Sequence, residues 1–181
     1  MRIISGTYKG RRIPVPASFK ARPTTDFARV GLFNVLANTW DFDGLAVLDL
    51  FSGTGSIGFE FASRRAARVD MVEIDPKNVT FLQRTSTNLG AGNIRVIRSD
   101  AMVFVSRCTS RYDIVFADPP YRMENLGELP ERVLGKGILE EEGWFILEHG
   151  KNYSFHSIPG FRELRRYGNV HFSFFSGIPN Q

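Results

Sequence analysis

The sequence predicts an α/β fold, an open and largely parallel sheet with helices on both faces. Apolar runs of four or five residues recur between residues 45 and 149, and segments with helical periodicity separate them. Strands that alternate with helices pair in parallel, because each crossover helix returns the chain to the same end of the sheet. The alternation stops after residue 160, where Gly168-Asn169 separates two strand-like runs and predicts an antiparallel hairpin.

The central part of the chain is predicted to hold five strands joined by four helices. The strands are expected at residues 46–50, 69–73, 94–97, 113–117 and 144–148. The first helix follows a turn at residues 53–58 and runs to about residue 65, and the others cover 76–89, a short stretch from 101, and 126–139. The closing hairpin is expected at residues 162–167 and 170–176. The core is therefore expected to be five parallel strands followed by an antiparallel pair.

The first 44 residues are predicted to form a basic extension, and residues 45–181 the main domain. Residues 2–16 contain two short runs that carry apolar residues, which favours a small hairpin. Thr25 or Asp26 is placed to cap a helix that runs to about residue 38. We expect this hairpin and helix to contact a partner, whose class the charge and the motifs described below indicate.

Positive charge is concentrated at the amino-terminal end. Residues 1–30 contain seven basic residues and one acidic residue, and the other 151 residues contain 16 basic and 18 acidic ones, so the net charges are +6 and −2. A basic segment on a slightly acidic body favours a polyanionic partner over a merely solubilising surface. Arg11, Arg12 and Arg22 are the residues expected to bind it.

The composition excludes several classes of protein. The single cysteine, Cys108, cannot form a disulfide framework, and no His or Cys spacing suggests a metal site, so no metal is expected. The first residues lack the apolar core of a signal peptide, and no apolar run is long enough to cross a bilayer. We therefore expect a soluble, cytoplasmic protein with no membrane partner.

A glycine-rich turn follows the first predicted strand. Gly53, Gly55 and Gly58 match the G-x-G-x-x-G pattern between a strand and a helix, which several classes of nucleotide-binding enzyme share. Glu73 lies 20 residues after Gly53, at the end of the second strand, where a carboxylate can accept from a ribose hydroxyl. The pattern predicts a cofactor that contains a nucleoside without choosing its class.

Asp49, near the end of the first strand, separates the cofactor classes. A dinucleotide would bring an anionic pyrophosphate to this turn, and a carboxylate without a metal would repel it. S-adenosylmethionine brings an ammonium and a sulfonium, which a carboxylate stabilises. Asp100 follows the third strand at the same edge of the sheet, so it is expected beside the adenine and can also cap the next helix. These positions favour S-adenosylmethionine, with Phe51 and Ala101 among its contacts.

Asp118-Pro119-Pro120-Tyr121 follows the fourth strand directly and is the most specific pattern in the chain. The prolines fix the backbone, so its carbonyl groups point in set directions. The Asp118 carboxylate and the Pro119 carbonyl can accept from both N–H bonds of an exocyclic amino group, which turns the nitrogen lone pair toward a methyl donor. Tyr121 can stack on the extruded base. The pattern predicts methylation of a nucleobase amino group, with Asp118, Pro119 and Tyr121 as catalytic residues and Pro120 contacting the base.

Three further strings lie near the amino terminus, namely Arg2-Ile3-Ile4-Ser5-Gly6, Lys9-Gly10-Arg11-Arg12 and Arg22-Pro23-Thr24-Thr25-Asp26. Together with the motifs above, they resemble the bacterial small-subunit ribosomal RNA guanine-N2 methyltransferases over nearly the whole chain. The resemblance implies a Rossmann-like class I methyltransferase sheet of seven strands, the last antiparallel. It implies S-adenosylmethionine against Gly53, Gly55, Glu73 and Asp100, and a guanine of 16S ribosomal RNA held by residues 118–121. The expected substrate is the small ribosomal subunit or its assembly intermediate, and a monomer is expected.

Other functions fit parts of the sequence. A DNA adenine amino-methyltransferase uses the same Asp-Pro-Pro-Tyr chemistry, although such enzymes generally read a duplex with more than a 44-residue extension. A non-catalytic RNA-binding module is the second alternative, and an eroded glycine turn or loss of Asp118 would support it, but both are intact. A nucleotide-dependent oxidoreductase is disfavoured by Asp49 and by Asp118-Pro119-Pro120.

Overall fold

The chain forms one mixed sheet with helices on both faces. The computed structural model describes residues 1–17, 19, 25–120 and 122–177. The helices are α1 Asp26–Ala37, α2 Ser56–Ser63, α3 Pro76–Leu89, α4 Ala101–Arg107 and α5 Leu129–Gly135, with a 3₁₀ turn at Leu126–Glu128. The strands are β1 Ala46–Leu50, β2 Arg68–Glu73, β3 Ile94–Arg98, β4 Tyr112–Ala117, β5 Leu139–His149, β6 Phe161–Tyr167 and β7 Val170–Ser176. Among these helices, none is long and apolar enough to cross a membrane.

The strand order determines where a ligand can bind. In the described part of the chain the sheet has seven strands in the order β3-β2-β1-β4-β5-β7-β6. Strands β1 to β5 are parallel, and β7 runs antiparallel to both β5 and β6. The predicted five parallel strands and closing hairpin are confirmed. The chain order reverses between β1 and β4, so the carboxyl ends of these two strands flank a crevice.

Each face of the sheet has its own hydrophobic core. On one face Val47 and Phe116 pack with α1, α2 and α3, and on the other Leu48 and Val115 pack with α4 and α5. Successive side chains of a strand point to opposite faces. Asp49 therefore shares the face of Val47, the side on which α1 and α2 lie.

A buried carboxylate anchors the amino-terminal segment to α2. The backbone N–H groups of Ile4 and Ser5 donate to the two carboxylate oxygens of Glu60 at 2.9 and 3.0 Å, and Glu60 is fully buried. Gly6 follows with a φ of +79°, and a Cβ there would lie 1.9 Å from the Ser63 carbonyl oxygen. Residues 2–16 form a shorter hairpin than predicted: Arg2 and Arg12 form an isolated antiparallel bridge, and the Ile3 N–H donates to the Arg11 carbonyl at 3.0 Å and the Ile13 N–H to the Met1 carbonyl at 2.8 Å on either side of it. The Ile4 and Ser5 N–H groups bond to Glu60 and fix this hairpin to α2.

The first helix agrees with its prediction. It starts at Asp26, and the Thr25 hydroxyl oxygen accepts from the Ala28 N–H at 3.2 Å as its cap. The boundary between an extension and a main domain at residues 44 and 45 stays a prediction.

The predicted helix at residues 126–139 is wrong in its last four residues. Only a 3₁₀ turn and the seven residues of α5 are helical, and α5 ends at Gly135. Gly137 then adopts a φ of +69°, and the Ile138 carbonyl accepts from the Tyr112 N–H at 2.9 Å. The chain enters the sheet at this point, so β5 begins at Leu139, five residues before its predicted start.

Candidate active site

A cavity of about 740 Å³ opens where β1, β2, β3 and β4 end. Nine of the residues predicted for the cofactor and the target base line it, namely Asp49, Phe51, Gly53, Glu73, Asp100, Ala101, Asp118, Pro119 and Pro120. Its volume lies within the range of about 300–1,000 Å³ typical of small-ligand sites. The structure thus brings two separately predicted motifs into one space.

The turn after β1 is shaped by left-handed backbone conformations. Gly53 and Gly55 have φ values of +52° and +75°, and Phe51, which is not a glycine, has a φ of +61°. A Cβ on Gly55 would lie 2.6 Å from the Leu82 side chain, so close packing as well as conformation requires glycine there. No sequence signal marked the strained conformation of Phe51, which lines the cavity.

Glu73 joins this turn to the end of β2. One carboxylate oxygen accepts from the Gly53 N–H at 2.8 Å, and the other accepts from the Ile74 and Asp75 N–H groups, both at 2.8 Å. An ionised carboxylate has about four acceptor positions. One position therefore remains for a ribose hydroxyl, and that role stays a prediction.

Asp100 caps α4 as predicted. Its Oδ1 accepts from the N–H groups of Met102 and Val103, both at 2.9 Å. Both bonds go to the same oxygen of a residue that also lines the cavity. Capping therefore leaves the predicted contact with adenine possible.

Asp49 and Asp118 are carboxylates with raised proton affinity. Asp49 is 2% exposed, and its Oδ2 accepts from the Gly58 N–H at 3.1 Å. Burial, with a smaller contribution from the charge of Glu73, raises the pKa of Asp49 to about 7. Burial also raises the pKa of Asp118 well above its usual range, and the charges of Glu148 and Asp49 add to that shift. The Asp49 carboxylate, beside the glycine turn, favours a cationic ligand there, because a cation stabilises its ionised form.

The cofactor site fits S-adenosylmethionine for the same reason. An anionic pyrophosphate near Asp49 would be repelled, whereas an ammonium and a sulfonium would be stabilised. Within the described ranges, no cluster of His, Cys, Asp and Glu side chains could hold a metal ion to offset that repulsion.

Several cavity residues were missed by the sequence reasoning. Ile74, Asn78, Met102, Arg122 and Met123 line the cavity, and Ile74 is 61% exposed. The position of Ile74 directly after the predicted ribose carboxylate was a usable signal. No sequence signal indicated that Glu148 lies near Asp118, because this proximity depends on the pairing of β5 with β4.

The basic residues occupy different environments. Arg11 and Arg12 are exposed in the amino-terminal segment and do not line the cavity. Arg29, counted in the basic segment, is 1% exposed and donates to the Asp26 carboxylate at 2.8 Å and to the Arg2 carbonyl at 2.7 Å, so it cannot contact a partner. Arg22 and Tyr121 lie outside the described residues.

Comparison with known proteins identifies the family. The model of a family described as Conserved hypothetical protein 95 matches residues 1–176. Ribosomal RNA small subunit methyltransferase D of Escherichia coli (strain K12) is 41% identical over 148 residues, which cover 82% of this chain and 71% of that protein. The chain belongs to this methyltransferase family. The predicted family is confirmed.

Solved structures agree with the methyltransferase family. A structure described as putative methyltransferase yhhF from Escherichia coli is 33% identical, with a TM-score of 0.85 over 98% of this chain and 97% of that one. An RNA methyltransferase from Salinibacter ruber, solved with S-adenosyl-L-homocysteine, has a TM-score of 0.67 at 17% identity over 88% of this chain and 96% of that one, a likeness of fold. The predicted class I methyltransferase fold and the predicted cofactor, S-adenosylmethionine, are confirmed.

Proposed function

We propose that the protein transfers a methyl group from S-adenosylmethionine to the exocyclic 2-amino group of a guanine in the 16S ribosomal RNA of the small ribosomal subunit. The observation that carries the proposal is the shared cavity, in which Asp118-Pro119-Pro120 lies beside Asp49, Glu73 and Asp100. Membership in the family and the name of the Escherichia coli relative support ribosomal RNA as the substrate. The residues after β4 support an amino group as the acceptor.

Asp118 and Pro119 would orient the amino group. Its nitrogen lone pair is delocalised into the base, so both N–H bonds must be held for the lone pair to point at the methyl donor. The Asp118 carboxylate and the Pro119 carbonyl are two acceptors separated by a single peptide unit, and Pro119 and Pro120 keep the backbone between them from relaxing. Pro119 is buried, and Pro120 is exposed.

Asp118 would also receive the proton that the amino nitrogen loses. At the reference pKa of about 3.9 a carboxylate is a weak base toward an arylamine, so proton loss follows attack, when the nitrogen has become cationic. The raised pKa of Asp118, caused by burial and by Glu148 and Asp49, makes it a better acceptor at that moment. When bound, S-adenosylmethionine supplies a methyl group carried on a positively charged sulfur.

The cofactor would be held from three strands. Asp49 near the end of β1 faces its cationic part, Glu73 at the end of β2 accepts from its ribose, and Asp100 after β3 lies next to its adenine. Phe51, Gly53, Gly55 and Ala101 complete the site. All of these residues except Gly55 line the cavity, which supports these roles, and Gly55 shapes the turn through its positive φ.

The amino-terminal 44 residues are proposed to bind RNA. Arg2, Lys9, Arg11 and Arg12 are exposed there, on a segment fixed to α2 through Glu60. A fixed array of cations binds phosphates without first being ordered, which favours affinity. Action as a monomer, on a particle or on its assembly intermediate, is part of the proposal.

A parallel transfer assay tests the substrate. Purified protein and labelled S-adenosylmethionine are incubated with 30S particles that lack native methylations, with naked 16S RNA, and with duplex DNA. We expect label on a single guanine of the RNA or the particle, and a difference between them tells whether ribosomal proteins are needed. Label on DNA adenine would replace the proposal by a DNA methyltransferase, and no label on any substrate would support a non-catalytic module.

Substitution of Asp118 tests the catalytic assignment. Asp118→Ala removes an acceptor and the proton-receiving group, and we expect turnover to fall at least about 10²-fold while cofactor binding stays nearly intact. Glu141→Gln, an exposed carboxylate near the start of β5, is the matched control and should keep wild-type turnover. Activity retained in Asp118→Ala would refute the role.

A further inference from the structure

We infer that Phe27 and Tyr167 form a second RNA-contacting surface, on which an unpaired base near the target nucleotide stacks. The inference rests on the proposed function, since it assumes an RNA substrate. It assigns a role to a surface that lies outside the cofactor cavity.

Phe27 is an exposed aromatic side chain that the fold holds in place. Its side chain is 72% exposed in the first turn of α1, and its ring packs edge-to-face on Tyr167 at a centroid distance of 5.7 Å. Tyr167 in turn packs on the buried Phe172 at 5.8 Å. The partners of Phe27 restrain its ring but leave most of it in solvent, so a face is available for stacking.

The helix is adapted to this aromatic pair. Gly31 lies one turn after Phe27, and a Cβ at Gly31 would lie 2.0 Å from the Tyr167 ring. Any larger residue would therefore push Tyr167 away from α1. Val30, which is 39% exposed, extends the apolar surface beside Phe27. Phe27, Val30 and Tyr167 thus form a contiguous apolar patch, and Gly31 leaves the space that the Tyr167 ring occupies. Contiguous exposed patches mark interaction sites more often than single exposed side chains do.

The pair lies at the catalytic edge of the sheet. Strand β6 runs antiparallel to β7, which runs antiparallel to β5, so Tyr167 at the end of β6 lies at the same edge as Asp118 after β4. Tyr167 packs against the core that contains Phe116, the residue two positions before Asp118. Three strand spacings separate β4 from β6, a lateral distance of about 14 Å. A strand of RNA that places its guanine at Asp118 can therefore reach Phe27 with a neighbouring nucleotide.

The charges around the pair favour a polyanion. Arg2 and Arg12 line an open groove together with Asp26, the residue before Phe27. Arg165 and Arg166 are exposed on β6 next to Tyr167. The two nearby acids are both neutralised, Asp26 by Arg29 at 2.8 Å and Glu163 by Arg165 at 2.7 Å.

An aromatic face bordered by exposed cations suits single-stranded RNA. Bases that are unstacked from a loop or bulge stack on aromatic side chains, and nearby arginines contact the phosphates. An apolar protein partner would need no cations at this border, so the charge favours RNA as the occupant.

Phe27 variants of the full chain test the inference, with naked 16S RNA as the probe. We expect Phe27→Ala and Phe27→Leu to raise the Kd for this RNA by roughly 5- to 150-fold, because both lose the stacking face. Phe27→Trp keeps a ring and should keep wild-type affinity. The salt dependence of binding should not change in any of them, since no phosphate contact is lost. Val103→Ala, at a 43%-exposed side chain on the opposite face of the sheet, is the control and should bind like wild type.

Methyl transfer separates this inference from the proposed function. Phe27→Ala should keep the wild-type kcat at saturating RNA, and only its KM for RNA should rise. Wild-type affinity in Phe27→Ala, with an active parent protein, would overturn the stacking surface alone. Retained affinity in Phe27→Leu, or a loss seen only with protein-containing particles, would overturn it in favour of an apolar protein contact. A wild-type protein that methylates no RNA would overturn the proposed function and this inference together.

Discussion

The affinity of the protein for S-adenosylmethionine should rise steeply with pH below neutrality. Asp49 is buried at the cavity rim, and burial raises its pKa to about 7 in the free protein. A cation favours the ionised carboxylate, so binding has to be preceded or accompanied by loss of that proton. Because the free protein holds the proton below its pKa, acid conditions weaken binding and higher pH strengthens it.

The size of the effect follows from the ionised fraction of Asp49. With a pKa of about 7, that fraction rises from about 3% at pH 5.5 to about half at pH 7, which corresponds to an increase in affinity of about 16-fold. The cofactor's own amino group titrates nearer pH 8, above this window. At pH 6.5 each binding event should release about 0.8 proton.

Calorimetry in buffers of different ionisation enthalpy measures both the Kd and the released protons. Asp49→Asn should bind S-adenosylmethionine more weakly than wild type at pH 7, and its own Kd should be the same from pH 5.5 to pH 7. Asp118→Asn is the matched control and should keep a rise of affinity with pH, because the Asp49 carboxylate is unchanged; the repulsion between the two carboxylates is mutual, so only the midpoint of the rise moves. A wild-type Kd that is flat from pH 5.5 to 7 would refute the assignment of Asp49 as the cation-facing residue.

Two further predictions concern the scaffold. Glu60→Gln leaves Arg64 without its buried carboxylate partner, which lies at 3.0 Å in the wild type, and places an NH₂ group against the Ile4 or Ser5 N–H. We expect urea titration to show a loss of about 3 kcal/mol in the free energy of unfolding, and we expect weaker RNA binding. Unchanged values of both would contradict the anchoring role. Gly55→Ala should destabilise the fold and weaken cofactor binding more than Gly53→Ala does. Both glycines have a positive φ, but only Gly55 has side chains within 3 Å of an added Cβ. Equal losses of the two variants in thermal unfolding would show that backbone conformation alone matters.

Much of the cavity lining was predictable because each of its predicted residues lies at the end of a strand that the neighbouring sequence reveals. Gly53, Glu73, Asp100 and Asp118 each follow a recognisable strand, and the carboxyl ends of parallel strands meet at one edge of a sheet. Recognising four strands was therefore enough to predict that these residues meet. The lining of one cavity by all four agrees with that expectation.

The parts that failed or were missed depend on long-range contacts. The amino-terminal segment keeps a short ladder between residues 1–3 and 11–13, but its docking through the Ile4 N–H onto Glu60, 56 positions away, had no signal in the sequence. The burial of Arg29 depends on the carbonyl of Arg2, so sequence charge overstated the cationic surface. Glu148 influences Asp118 only because β5 pairs with β4 in a particular register. No periodicity within a segment reports such contacts.

The most direct test of the central claim is the identity of the methylated nucleoside. Small-subunit RNA that has reacted with the protein and S-adenosylmethionine is digested to nucleosides and analysed by mass spectrometry, beside RNA treated with Asp118→Ala. We expect about one N2-methylguanosine per RNA with the wild-type protein and none with the variant. The reason is that the Asp118 carboxylate and the Pro119 carbonyl together hold one exocyclic amino group, and the variant lacks the first of them. Methylation of adenine, of a ring nitrogen or of a ribose oxygen, or N2-methylguanosine formed equally by Asp118→Ala, would contradict the account.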